Sequence, residues 1–177
     1  LNDKLDLNSH QSTKERNWFE NDFYRFIFAF TGKPKTVLDL GCGLNPLTYK
    51  YTKGIYFIAS ELTKKDCDNI KKIFKKNKIK GEVIQADLRT YNEFPKVDVC
   101  FMFKFLESLE IKGHKIAEYL VNGVKARFIV VSFSNLDTKG RKMNYPKRGW
   151  FERMLVRLGL KYKKFEKFNE IFYIVEK

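Results

Sequence analysis

A short apolar run that ends in a glycine turn has the clearest chemical meaning in this chain. It spans residues 37–46 (VLDLGCGLNP), and Glu61 follows eighteen residues after Gly43, at the end of the next apolar run. Gly41 and Gly43 permit backbone angles and a close ligand approach that a Cβ would block. A carboxylate at the tip of a second strand can accept hydrogen bonds from both hydroxyls of a ribose. This arrangement is typical of a nucleotide-cofactor site.

The position after the two glycines bears on which nucleotide would bind. The dinucleotide fingerprint G-x-G-x-x-G places a third small residue where a helix begins and a pyrophosphate binds. Here that position is Pro46, which suits a first helical turn but lacks the N–H that would bind an anion. The pattern D-x-G-x-G-x-N-P instead resembles the first motif of class I S-adenosylmethionine-dependent methyltransferases, whose cofactor carries no phosphate. The loop therefore favours S-adenosylmethionine, with a dinucleotide as the alternative.

Composition indicates a basic protein of one-domain size. The chain has 177 residues, with 35 Lys and Arg against 21 Asp and Glu and a formal charge of +14. Such a surface attracts polyanions, usually nucleic acid, although a lysine-rich composition that serves solubility is the alternative. No apolar run approaches the roughly 18 residues of a membrane span, and no secretory signal is evident, so we expect a cytoplasmic protein with no membrane contact. Cys42, Cys67 and Cys100 lack the spacing of a disulfide framework or zinc site, so we expect reduced thiols and no metal.

The elements that would position this site alternate between strands and helices. An amphipathic helix is predicted from residue 14 to 31, and the predicted domains are a helical lead-in, 1–35, and a methyltransferase domain, 36–177. Strands are predicted at about 36–40, 55–60, 82–86, 97–102 and 127–133, with helices at about 63–78, 114–122 and 148–158. Two last runs, 160–167 and 170–176, would form an antiparallel hairpin. The predicted fold is therefore α/β: a Rossmann-like, mostly parallel seven-stranded sheet with a C-terminal hairpin and helices on both faces.

Eight short segments resemble the 16S ribosomal RNA guanine-N7 methyltransferases that confer aminoglycoside resistance. They are residues 10–16 (HQSTKER), 23–24 (FY), 31–34 (TGKP), 37–46 (VLDLGCGLNP), 104–110 (KFLESLE), 132–134 (SFS), 140–143 (GRKM) and 150–152 (WFE). The combination of GLNP with the late GR and WFE segments is much more specific than the glycine loop alone. The resistance enzymes carry a helical N-terminal extension that helps to dock the ribosome, and this chain begins about where that extension ends.

The resemblance implies a set of residues that hold S-adenosylmethionine. Arg16 would pair with the carboxylate of the cofactor, Glu61 would hold the ribose, and Asp87 would accept the adenine amino group. The other members of the implied set are Asp39, Gly41, Gly43, Asn45, Leu62 and Leu88. A surface arginine and a helix cap are the structural alternatives for Arg16 and Asp87.

The segment after the fourth predicted strand bears on the reaction. Methyltransferases that act on exocyclic amines of bases usually carry Asn/Asp-Pro-Pro-aromatic here, whereas this chain has Phe103-Lys104-Phe105. Guanine N7 has an available lone pair and no proton to remove, so proximity and orientation can suffice. The resemblance implies that Lys104 positions the base or a phosphate and that Glu110 fixes the loop carrying it. A lysine that snorkels at a strand end is the alternative for Lys104.

Basic and aromatic residues alternate in the late segment that precedes the last predicted helix. Basic side chains neutralise phosphates, and aromatic rings stack on unpaired bases. The predicted RNA-binding residues are Lys139, Arg141, Lys142, Arg148 and Trp150. A core position is the alternative for Trp150, and the lysine-rich helix at 64–78 is a second candidate RNA surface.

Together with these patterns, the resemblance implies a monomeric methyltransferase that acts on guanine N7 of small-subunit ribosomal RNA near the decoding site. Methylation of another RNA or of a small molecule is one alternative. A non-catalytic RNA-binding or ribosome-assembly factor that keeps the cofactor fold is the other.

Overall fold

A computed structural model describes residues 20–109, 113–137, 140–144, 146–167 and 169–177 of the chain. Its strands are β1 (Thr36–Asp39), β2 (Tyr56–Glu61), β3 (Gly81–Gln85), β4 (Val97–Phe103), β5 (Ala126–Ser134), β6 (Lys161–Lys167) and β7 (Glu170–Glu176). They form a seven-stranded sheet in the order β3-β2-β1-β4-β5-β7-β6. The first five strands are parallel, and β7 pairs antiparallel with both β5 and β6. The predicted fold class is confirmed.

Helices cover both faces of this sheet. They are α1 (Glu20–Thr31), α2 (Lys64–Asn77), α3 (Leu106–Leu109), α4 (Lys115–Gly123) and α5 (Gly149–Arg157). Consecutive strand residues point to opposite faces, so Val37 packs with Ile27 of α1, whereas its neighbour Leu38 packs in the core that contains Leu120 of α4 and Leu155 of α5. The strands between these layers are apolar on both sides, as expected for a covered parallel sheet.

Strand order reverses between β1 and β4, which are neighbours although β2 and β3 separate them in sequence. In open α/β sheets such a switch point leaves a crevice at the carboxyl ends of the strands, where ligands bind. The glycine turn follows β1 at this edge, and Lys104 follows β4 there. The topology thus places the residues singled out by sequence around one crevice.

Most predicted elements coincide with observed ones to within a few residues. Two features were missed: the short α3 and the pair of 3-10 turns, Asn45–Leu47 and Tyr49–Tyr51, where Pro46 opens a helical turn that soon ends. Residues 14–19 of the predicted first helix lie outside the described residues. None of the described helices is long and apolar enough to cross a membrane.

Candidate functional site

The glycine turn is held between the ends of its two neighbouring strands. The N–H of Leu40 donates to the carbonyl of Phe101 at 3.0 Å, and the N–H of Cys42 donates to the carbonyl of Ser60 at 3.1 Å. Gly41 and Gly43 have φ of 58° and 52°, in the left-handed region that favours glycine. A Cβ on Gly41 would lie 3.2 Å from the ring of Phe105. The turn therefore has both the backbone angles and the crowding that require glycine.

The buried side chain of Asp39 stabilises the turn through hydrogen bonds. Its carboxylate is fully buried and accepts hydrogen bonds from the amide of Asn45 at 2.9 Å and the hydroxyl of Tyr49 at 2.6 Å. The ring of Tyr49 stacks on that of Phe57, with centroids 3.8 Å apart. Burial and the nearby charge of Asp39 raise the pKa of the Tyr49 phenol well above its usual value. The phenol therefore remains a donor to Asp39. Sequence reasoning missed Tyr49, because no motif marks a tyrosine ten residues after the aspartate.

Glu61 joins the tips of β1 and β2. Its carboxylate accepts a hydrogen bond from the N–H of Gly43 at 2.7 Å and another from the N–H of Leu62 at 3.2 Å. Leu62 is 52% exposed beside it, a large apolar residue that faces solvent at the edge of the crevice. A partly exposed carboxylate next to an apolar side chain fits a ribose bound below an aromatic base.

Asp87 follows β3 and is held by its own neighbour. Arg89 donates from Nε at 2.8 Å and from Nη2 at 2.5 Å to the two carboxylate oxygens, and its backbone N–H donates at 3.1 Å. These bonds hold the pKa of Asp87 at about 2. Leu88 is buried in the core, so it supports the turn from inside. Arg89 was not singled out by sequence, although bidentate pairing with a carboxylate is its ordinary chemistry.

Lys104 has an unusual backbone and a buried partner. Its φ is 56°, rare for a residue with a side chain, and its N–H donates to the carbonyl of Ser132 at 2.9 Å. The ammonium lies 3.2 Å from the carboxylate of Glu170 on β7, with the two side chains 14% and 1% exposed. Lys104 thus reaches across β5. Sequence reasoning missed Glu170, since nothing in the hairpin pattern distinguishes it from exposed acids.

The predicted RNA-binding residues divide into two groups. Arg148 is buried: its Nε lies 2.7 Å from Glu107 and its Nη2 donates to the carbonyl of Ser134 at 3.1 Å. Trp150 stacks on His114 with centroids 3.8 Å apart. Both therefore serve the scaffold in this structure. The burial of Arg148, and the stacking of the partly buried Trp150 on His114, argue against direct RNA contact.

Arg141 and Lys142, in contrast, are exposed. Arg141 is 71% exposed and pairs with Asp137 at 2.9 Å, in a geometry open to solvent. Three further residues of the predicted sites, Arg16, Glu110 and Lys139, lie outside the described residues. Within the described ranges, no group of three His, Cys, Asp or Glu side chains could hold a metal ion.

The fold and the crevice define a class I methyltransferase architecture: a parallel sheet closed by an antiparallel hairpin, with a glycine turn after β1 and acidic residues after β2 and β3. The family model described as ribosomal RNA methyltransferase (FmrO) matches residues 4–174. The chain belongs to this family.

Individual relatives are similar over nearly the whole chain. A 16S rRNA (guanine(1405)-N(7))-methyltransferase from Micromonospora rosea is 26% identical over 182 residues, which cover 99% of this chain and 66% of the relative. An enzyme of the same name from Frankia casuarinae is 28% identical, with 95% and 61% covered. The chain therefore spans slightly less than two thirds of the length of these relatives.

Solved structures of 16S rRNA methyltransferases are also similar over nearly the whole chain. The 16S rRNA methyltransferase RmtF, in complex with S-adenosyl-L-homocysteine, superposes with a TM-score of 0.83 at 26% identity, covering 97% of this chain and 66% of RmtF. The 16S rRNA methylase ArmA gives a TM-score of 0.78 at 26% identity, covering 96% of this chain and 88% of ArmA.

Proposed function

We propose that this chain binds S-adenosylmethionine and methylates guanine N7 in 16S ribosomal RNA, near the decoding site of the small ribosomal subunit. The observation that carries the proposal is the hydrogen bond from the Gly43 N–H to the Glu61 carboxylate, because it holds next to the glycine turn an acceptor that suits the hydroxyls of a ribose. Membership of the ribosomal RNA methyltransferase family and the similarity to 16S rRNA enzymes support the substrate.

The residues present fit the cofactor. Gly41 and Gly43 both have left-handed backbone angles, and a Cβ on Gly41 would fill the space against Phe105. Glu61 would accept from the ribose hydroxyls, and Asp87 would accept from the adenine amine. When bound, S-adenosylmethionine supplies an electrophilic methyl group on a sulfonium.

The residues of the chain would contribute to the reaction by holding the base in the right orientation towards the methyl group. Guanine N7 attacks through a lone pair and loses no proton, so the site needs no general base. Lys104, placed at the end of β4 by its left-handed backbone, would set the position of the base or a neighbouring phosphate through its charge. Phe105 would line the space between that base and the glycine turn.

The test is methyl transfer to purified small ribosomal subunits with labelled S-adenosylmethionine, followed by mass spectrometry of the RNA. The expected product is one N7-methylguanosine in the decoding region. Glu61→Ala should lose activity, while Glu82→Ala, an exposed acid on β3, should keep it. Cofactor binding without transfer to any RNA would favour the RNA-binding or assembly factor, and a product on an exocyclic amine or a ribose would contradict the N7 assignment.

The remaining expectations belong to the same proposal. Residues 1–35 would be a helical lead-in to the methyltransferase domain of residues 36–177, and the protein would act as a cytoplasmic monomer. Light scattering of the purified chain measures the oligomeric state directly.

A further inference from the structure

A row of lysines runs along one face of the edge strand β6. Side chains alternate between the faces of a strand, so Lys161, Lys163, Phe165 and Lys167 share the face on which α1 packs. The ring of Phe165 lies 4.3 Å, between centroids, from that of Phe30 in α1. The Nζ of Lys163 lies 5.6 Å from the centre of the same Phe30 ring, and the Nζ of Lys167 lies 5.1 Å from that of Phe26. The ammonium groups of Lys163 and Lys167 thus lie over aromatic rings of α1, and both residues are exposed.

The lysines on the two faces of β6 differ in whether a carboxylate pairs with them. On the opposite face, Lys164 pairs with Glu152 at 2.7 Å. Lys161 and Lys163 are exposed, and within the described part of the chain neither has a carboxylate partner. Glu176 lies opposite Lys161 in the strand register, but the two side chains form no ion pair. Lys161 and Lys163 therefore keep a positive charge that no carboxylate of the described residues neutralises.

The row leads to the edge of the sheet that carries the candidate site. Both β6 and β5 are antiparallel to β7, so β6 runs parallel to β5 and ends at the same edge as β1, β2 and β4. There Lys167 and Lys142 line a common cavity of about 260 Å³ with Glu166, whose carboxylate accepts a hydrogen bond from the amide of Asn135 at 2.7 Å. Alternate residues are about 6.6 Å apart along a strand, so the row from Lys161 to Lys167 is about 20 Å long and continues to Lys142.

We propose that these four lysines, Lys161, Lys163, Lys167 and Lys142, form a track that binds the sugar–phosphate backbone of the RNA next to the methylated nucleotide. The inference rests on the proposed function and adds a docking surface to it. Lysine ammonium groups are point charges that suit phosphate oxygens and do not read bases. The track would therefore orient the RNA along β6 without selecting its sequence.

Protection of the sheet edge is the competing explanation for these lysines. An edge strand exposes unpaired backbone groups, and lysines on it discourage pairing with another chain. That role predicts a change in self-association when the lysines are removed. The RNA track predicts a change in the salt dependence of RNA binding.

The experiment compares Lys161→Gln/Lys163→Gln with the parent chain in binding to purified small ribosomal subunits at a series of salt concentrations. Loss of two phosphate contacts should reduce the slope of log affinity against log salt by about 1.4. Lys161→Arg/Lys163→Arg should keep the parent slope because it keeps both charges. Lys96→Gln/Lys125→Gln, which removes the same charge from exposed residues just before β4 and β5, at the opposite edge of the sheet, is the matched control and should also keep it.

Binding of S-adenosylhomocysteine, measured on every variant by calorimetry, should be unchanged and shows that each is folded. An unchanged slope in the β6 variant, or an equal loss in the Lys96→Gln/Lys125→Gln control, overturns the track. Self-association of the β6 variant with parental RNA binding assigns the lysines to edge protection instead. A parent chain that binds subunits but transfers no methyl group contradicts the proposed function. In that case the salt slopes of the parent and the β6 variants still show whether the lysine track binds RNA.

Discussion

The ammonium of Lys104 lies 3.2 Å from the carboxylate of Glu170, and this contact ties the end of β4 to the start of β7 across β5. It joins the edge of the sheet that carries the candidate site to the C-terminal hairpin. Because Glu170 is almost completely buried, its charge depends on a cation beside it. The same lysine is the residue to which the proposed function assigns orientation of the base.

Glu170→Gln should therefore destabilise the fold. The substitution keeps the size of the side chain but leaves the Lys104 ammonium, itself 14% exposed, without this counter-charge. Breaking a buried pair by removing one partner costs about 3 kcal/mol, so the free energy of unfolding in denaturant should fall by about that amount. The double variant Lys104→Met/Glu170→Gln should recover part of the loss. Glu176→Gln, on the exposed end of the same strand, is the control, and an equal effect of the two single changes would contradict the argument.

Glu61→Ala should weaken binding of S-adenosylhomocysteine. Hydrogen bonds to a charged group contribute about 1.5–3 kcal/mol each, and this carboxylate is also the acceptor that holds the Gly43 N–H at 2.7 Å. Calorimetry should show a loss in that range, with no such loss in Glu82→Ala. NAD should not bind to the parent chain, because Pro46 supplies no N–H for a pyrophosphate. NAD binding, or cofactor affinity indifferent to Glu61, would refute the site.

Asp87 should remain ionised at unusually low pH because of Arg89. The pKa of Asp87 is about 2 in the folded protein, against about 3.9 for an unperturbed aspartate. The contribution of this pair to stability is thus present above about pH 4 and is lost as pH falls towards 2. Arg89→Ala should return the pKa of Asp87 towards its ordinary value, so that below about pH 5 the affinity for S-adenosylhomocysteine falls more steeply in the variant than in the parent. Calorimetry across this pH range measures the affinity of both proteins for S-adenosylhomocysteine. If the affinity depends on pH in the same way in the parent and in Arg89→Ala, the role of Arg89 is contradicted.

Periodicity and turn chemistry were enough to predict the sheet, its hairpin and the glycine crevice. Strands buried on both faces are continuous apolar runs, and the turn after β1 needs glycine for reasons that are local in sequence. The pairings between distant residues were not predictable, because Lys104 and Glu170 meet only once β5 and β7 have paired. For the same reason the pattern of basic residues around 139–150 did not separate Arg148, which folds inward onto Glu107, from the exposed Arg141.

Arg148 and Arg141 should respond oppositely to removal. Arg148→Ala deletes a guanidinium, 6% exposed, that bonds Glu107 and the Ser134 carbonyl, so the free energy of unfolding should fall by about 2–3 kcal/mol. The salt dependence of RNA binding should not change.

Arg141→Ala should leave stability within about 0.5 kcal/mol, because its ion pair is exposed. If Arg141 contacts a phosphate, as predicted, its loss should reduce the salt slope by about 0.7. Denaturant unfolding measures the stability change of each variant, and binding to small ribosomal subunits at several salt concentrations measures its salt slope. A reduced slope in a stable Arg148→Ala protein would show that this residue turns outward to the RNA.

The chemical step should be nearly independent of pH. Guanine N7 carries no proton, so a single-turnover rate with saturating subunits should stay flat across about pH 6–8.5, whereas a general base would impose a rising limb with its own pKa. The buried groups at the turn support this, because burial and the charge of Asp39 raise the pKa of both Cys42 and Tyr49 well above their usual values and keep them neutral. Lys104→Ala should lower the rate without introducing a pH dependence, provided RNA binding is retained. A clear ionisation in the parent rate, tracked with product mapping at each pH, would assign the enzyme to a methyltransferase class that deprotonates its target.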